Sequence, residues 1–164
     1  MAKEVEFKDY TIKVINAIND KANAVLEECA GELKSQTMQN TRTASSQTKV
    51  NWKHHVDDNK HVATIGNPLE NAIWEEFGTG EHALGGKGRQ GGYWVFVKGS
   101  SKKSNQSKTY TLEEAKKVVA IMRSKGLDAY YTSGKKPSRA FWNAYNSLKN
   151  PIIKRIENIF KGLG

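Results

Sequence analysis

An α+β fold is what this sequence predicts: a long N-terminal helix and a C-terminal helix packed on a small, mostly antiparallel sheet, with an inserted helix between them. Three observations carry the prediction. Apolar residues recur at three- and four-residue spacing towards both ends of the chain. Two short alternating segments flank the turn signal Asp57-Asp58-Asn59-Lys60. Tyr93-Trp94-Val95-Phe96-Val97 is a run of residues that favour a pleated, half-buried surface. At 164 residues a single domain is expected, long enough to bury a core.

The first helix is read over residues 7–35. Val14, Ile18, Ala22, Val25, Cys29 and Leu33 form its stripe, and Ile12, Ile15 and Leu26 widen the apolar face enough to touch a second surface. Residues 36–49 carry one large apolar residue, Met38, and read as a polar connecting loop. A hairpin follows, with Val50, Trp52, His54 and Val56 on one strand face and His61, Ala63 and Ile65 on the next. Leu69–Phe77 is a short helix stopped by Gly78. The rest of the 50–97 segment is a glycine-rich loop and the Tyr93–Val97 strand.

Residues 98–133 carry a helix of their own. Their first part, Lys98–Lys108, is rich in lysine and serine. Thr111-Leu112-Glu113-Glu114 is a capping box that starts a helix ending near Gly126, and Asp128–Thr132 is a short strand. The order strand, helix, strand over 93–132 suits a parallel crossover. The C-terminal helical region, 137–161, carries Phe141, Tyr145, Leu148, Ile152, Ile156 and Ile159 as its stripe. Pro151 either kinks it or starts a second helix capped by Asn150. Phe77, Trp94 and Trp142 are expected in the core; Trp74, if exposed, is an interface anchor.

Seven of the fourteen glycines fall between Gly78 and Gly92. Glycine has the widest backbone freedom and the largest entropic cost of ordering, so this is a built loop, suited to contact rather than chemistry. Gly86-Lys87-Gly88-Arg89-Gln90-Gly91 has dinucleotide-fingerprint spacing, but a strand follows it where that motif needs a helix. Glu75 and Glu76 are neighbours on a helix and point about 100° apart, so they read as a solvated helix end rather than a catalytic pair. The four histidines show no zinc-ligand spacing, and no nucleophile elbow is present. No catalytic residue, metal or cofactor is expected. Cys29, the single cysteine, reads as a buried small hydrophobe. With no leader-like start and no apolar run near the roughly 20 residues of a membrane span, synthesis in a reducing cytoplasm and no membrane role are expected.

Charge is the stronger lead. There are 26 basic and 17 acidic side chains, a formal net charge of +9. Lys98, Lys102, Lys103 and Lys108 form one cluster, Lys87 and Arg89 a second, and Lys135, Lys136 and Arg139 a third. All are candidates to face a polyanion without reading its sequence.

The stretch Trp74-Glu75-Glu76-Phe77-Gly78-Thr79-Gly80, preceded by a hairpin and followed by a glycine-rich loop, resembles the head–tail joining, or tail completion (neck), proteins of long-tailed bacteriophages, the minor tail protein Z-like group. Gly134-Lys135-Lys136-Pro137-Ser138-Arg139-Ala140-Phe141, leading into an amphipathic helix with an internal proline, is similar to that family's last turn and helix. The resemblance covers about residues 7–160. It implies a non-enzymatic virion component, made in the host cytoplasm and placed in the neck. There it is expected to form a homo-oligomeric ring, typically hexameric, between head-connector or head-completion proteins and the tail terminator or tail tube. The ring surrounds the DNA end and contacts it non-specifically. Trp74, Glu75, Glu76, Phe77, Gly78, Thr79 and Gly80 are then expected at a subunit or partner interface. The alternative reading is a stand-alone cytoplasmic nucleic-acid-binding or nuclease-like protein using the lysine loops with His54, His61 or Glu76.

Overall fold

The computed structural model describes residues 9–42, 46–86, 88–99 and 108–161. The fold is α+β, with a long helix near each end and two separate two-stranded antiparallel sheets in place of one small sheet. The elements in order are α1 (Thr11–Asn40), α2 (Ser46–Val50), β1 (Lys53–Asp57), β2 (Val62–Gly66), α3 (Glu70–Phe77), β3 (Trp94–Val97), α4 (Leu112–Ser124), β4 (Ala129–Thr132) and α5 (Ala140–Lys161). They gather into two compact units. One runs through Pro68 and resumes at Phe141; the other is Leu69–Ala140.

In the first unit the β1–β2 hairpin lies on α1, paired from Lys53 with Gly66 to Asp57 with Val62. Asp57 closes the turn by accepting from the backbone N–H of Asn59 and Lys60, both at 3.1 Å. His61 sits in this turn at φ +51 rather than on the strand face with Ala63 and Ile65. Val25, Cys29 and Ala30 of α1 are buried, and burial raises the Cys29 thiol pKa.

The polar stretch expected as a loop over 36–49 is mostly helical: α1 continues to Asn40, and α2 begins at Ser46. Polar composition misleads there because the threonines satisfy their own hydroxyls. Thr37 Oγ1 donates to the Leu33 carbonyl and Thr41 Oγ1 to the Thr37 carbonyl, both at 2.7 Å, so both side chains can be buried. Thr41 Oγ1 then accepts from Trp52 Nε1 at 3.1 Å, and the Trp52 ring stacks on Phe141 at 6.0 Å. Of the two readings at Pro151, the second helix capped by Asn150 is overturned: α5 is one helix through the proline. Trp142 is 45% exposed, not a core residue.

The second unit packs α4 on the β3–β4 sheet around Val95, Ala115, Val119 and Ala129. The sheet is antiparallel, Trp94 opposite Thr132 and Val97 opposite Ala129, so the parallel crossover is overturned. In a crossover the helix makes the return journey. Here Tyr110 already pairs with Tyr93, at the start of β3. The chain has therefore come back before α4 begins, and β4 must run opposite to β3. The capping box is present: Thr111 Oγ1 accepts from the Glu114 backbone N–H at 3.3 Å, and the Glu114 carboxylate accepts from the Thr111 N–H at 2.8 Å. The backbone and hydroxyl hydrogen bonds from Thr111 hold the Glu114 carboxyl below its ordinary pKa.

Thr111→Ala is expected to cost the second unit about 1 kcal/mol in thermal or denaturant unfolding. Because Glu114 is more acidic folded than unfolded, its stabilisation is fully present above the ordinary glutamate pKa. It is lost as pH falls through the lowered folded value. The difference between the wild type and Glu114→Gln should therefore vanish in acid; a difference that persists there removes the cap as its cause.

Candidate functional site

Helix α3 is inverted with respect to an ordinary surface helix. It buries Ala72 and Glu75, and it presents Ile73, Trp74 and Phe77 at 61%, 50% and 55% exposure. Phe77 is thus a surface residue, contrary to the core position expected for it. Glu75 is only 6% exposed, contrary to the solvated helix end expected for it, whereas Glu76 is half-buried.

What turns α3 round is a crossing between its C-terminus and residues 133–138. The Glu75 carboxylate accepts from Lys135 Nζ. The Glu75 carbonyl accepts from the Ser138 N–H at 2.7 Å and from Ser138 Oγ at 2.9 Å. Gly78, at φ +75, ends the helix, and the Thr79 N–H then donates to the Lys135 carbonyl at 2.9 Å. The Lys135 N–H answers by donating to Thr79 Oγ1 at 2.9 Å, and the Glu81 N–H donates to the Ser133 carbonyl at 3.0 Å. Two irregular strands of backbone are clasped by these bonds.

Glycine makes the clasp possible. A Cβ on Gly80 would lie 2.1 Å from the Ser133 oxygen, one on Gly134 2.1 Å from the Thr79 oxygen, and one on Gly88 2.1 Å from the Gly80 oxygen. The loop's glycines thus divide into two kinds. Gly78, Gly80, Gly88 and Gly92 are consumed by contacts inside the unit, whereas Gly85, Gly86 and Gly91 meet nothing within 4 Å. The loop is thus built for contact, and part of that contact is made inside the unit.

Among the described residues, the cations expected to face a polyanion lie at separate places on the unit. Arg89 lies over the Trp94 ring at 5.2 Å and donates to the Lys108 carbonyl at 2.5 Å, while Lys108 Nζ sits 5.1 Å from the Tyr110 ring centre. These two meet at the start of β3. Lys98 is at its far end, roughly 13 Å away by strand rise, with its N–H donated to the Asp128 carbonyl at 2.9 Å. Lys135 is tied to Glu75, and Lys136 is exposed. Lys87, Lys102 and Lys103 lie outside the described residues.

The histidines invoked by the alternative reading are engaged in the first unit. His54 Nε2 is 2.6 Å from Glu27 Oε1, and His61 Nδ1 is 2.7 Å from Asn23 Oδ1. Among the described residues no group of three or more His, Cys, Asp or Glu side chains is placed to hold a metal, and no helix is long and apolar enough to cross a membrane. Sequence reasoning missed Ile73 and the pairing of Glu75 with Lys135. Ile73 was legible as a third large apolar residue on an eight-residue helix; the pair, sixty residues apart, was not. Compared with known proteins, the chain matches no family model, no curated sequence and no solved structure.

Proposed function

We propose that this chain is a structural protein of a tailed-phage neck, a ring subunit that joins the head connector to the tail around the DNA end. The observation that carries the reading is α3 and its clasp, which coincide with the Glu-Phe-Gly-Thr-Gly stretch on which the resemblance rests. A short helix that turns Ile73, Trp74 and Phe77 outward, on backbone held by glycine contacts and an ion pair, is suited to rigid docking. Exposed aromatic anchors on a preorganised frame lose little entropy on binding. The excess of positive charge suits a subunit beside a polyanion.

The deciding experiment is an amber mutation of this gene in a phage that carries it. DNA-filled heads and unattached tails should accumulate under the non-permissive condition. Electron microscopy showing normal joined particles without this polypeptide would refute the reading. On the same frame, Trp74→Ala should cost the isolated chain no more than about 1 kcal/mol, because half the side chain is already in water, yet it should abolish rescue of the amber phage in trans. Undiminished rescue would remove α3 from the joint.

A further inference from the structure

Among the described residues, helix α1 is longer than what covers it. Thirty residues span about 45 Å, whereas the five-residue strands of the hairpin reach about 17 Å. The hairpin's side-chain bonds to α1 begin at Asn23 and Glu27. Towards the N-terminus from there, Ile12, Val14, Ile15 and Ile18 stand 75%, 54%, 51% and 39% exposed. Ile15 and Ile18 continue, at the same helical azimuth, the row of Ala22, Leu26, Cys29 and Leu33 that faces the interior further on.

The covered half of this row has the opposite defect. Leu26, Cys29 and Leu33 line an open apolar cavity of about 300 Å³, together with Ile65 of β2 and Ile152 and Ile153 of α5. Its volume is that of about ten waters at ~30 Å³ each, but apart from Tyr145 and Lys149 its lining is apolar and offers water few partners. Across it, α5 is tethered to α1 by Arg155, which reaches Glu28 at 3.1 Å and Glu32 at 2.8 Å. One face of one helix therefore carries an uncovered isoleucine ridge and an unfilled aliphatic groove. On α1 their centres, near Ile15 and Cys29, are roughly 21 Å apart.

We infer that the occupant is a second copy of this chain, whose α1 packs antiparallel on this one about a twofold axis near Ala22. That register sets Ile15 of each copy over Cys29 of the other, and Ile18 over Leu26, so both ridges fill both grooves at once. An alanine at the crossing lets the helices approach closely. The area supports a twofold contact over a single one. The four ridge residues together expose on the order of 400 Å². One ridge in one groove buries roughly 800 Å² in total, below what a specific interface needs, whereas the reciprocal pair buries roughly 1,600 Å². The uncovered turns also need a partner to remain helical, because β-branched residues in an isolated helical end favour it poorly. The contact is expected of the free chain and stands whether or not the chain enters a virion.

The test is sedimentation or light scattering of the full chain at about 50 μM, where a contact of this size gives a dimer. Ile15→Glu removes the ridge and Ile153→Lys the groove. Both sites are largely exposed in the single chain, and circular dichroism checks that each variant folds. Each should weaken dimerisation at least about a hundredfold. Mixing Ile15→Glu with Ile153→Lys should restore a heterodimer, because one ridge–groove contact is then intact and the other sets opposite charges face to face. A monomeric wild type would overturn the inference and leave the ridge to residues 1–8 or to another protein. A dimer that survives both substitutions, or variants that fail to complement, would overturn it equally. None of these outcomes bears on the amber-mutant experiment.

Discussion

Gly80→Ala is expected to abolish the native fold of the Leu69–Ala140 unit, at a cost of roughly 4 kcal/mol or more. Part of the cost is conformational. Gly80 has φ +59, where an L-residue loses about 1 kcal/mol. The larger part is steric. The new methyl would stand 2.1 Å from the Ser133 carbonyl oxygen, 2.7 Å from the Trp94 ring and 2.9 Å from the Gly134 Cα. Two of these are backbone atoms, and they cannot retreat without breaking the bonds that close the clasp, Thr79 N–H to the Lys135 carbonyl and Glu81 N–H to the Ser133 carbonyl. Gly85→Ala is the matched control. Its φ is +75, but nothing lies within 4 Å of the added methyl, so about 1 kcal/mol is expected. Denaturant unfolding followed by Trp94 fluorescence would compare them. Equal costs would mean that the loop closes by conformational preference alone, without the close approach.

Lys135→Ala is expected to destabilise the same unit by about 2–3 kcal/mol, far more than an ordinary surface lysine. The partner explains why: the Glu75 side chain is 8% exposed, so the ammonium removed is a counter-charge to a buried carboxylate. The expected loss falls below that of a fully buried pair because the Lys135 side chain is itself 45% exposed and screened by water. If the buried charge is the cause, adding Glu75→Gln to Lys135→Ala should recover part of the loss, which a double-mutant cycle would measure. Strict additivity would show that the two side chains act independently. The experiment also separates two roles for one residue. A lysine that only met DNA would change salt-dependent affinity and leave stability alone.

The sequence was most legible where a signal is local. The capping box at Thr111, the turn at Asp57–Lys60 and the stop at Gly78 each depend on residues within a few positions of one another, and each stands where it is expected. It was least legible where the partner is remote or the side chain hides its own polarity. Thr37 and Thr41 look like loop residues because hydroxyls usually seek water; here they bond the preceding helical turn and are buried. Glu75 looks like surface until Lys135 is brought to it from sixty residues away. The direction of β4 could not be read from the order strand, helix, strand. It depended on whether the loop or the helix makes the return, and the Tyr93–Tyr110 bridge assigns that to the loop.

The sequence alone therefore determined the α+β class, the positions of the principal helices and strands, and the presence of a constrained glycine segment. Those follow from periodicity, capping and turn chemistry, which act over a few residues. Only the tertiary structure decided which glycines face inward, that α3 shows its large side chains and hides its acid, and that α1 outruns the hairpin on it. Those are outcomes of distant backbones competing for the same few ångströms, a competition that no local pattern encodes.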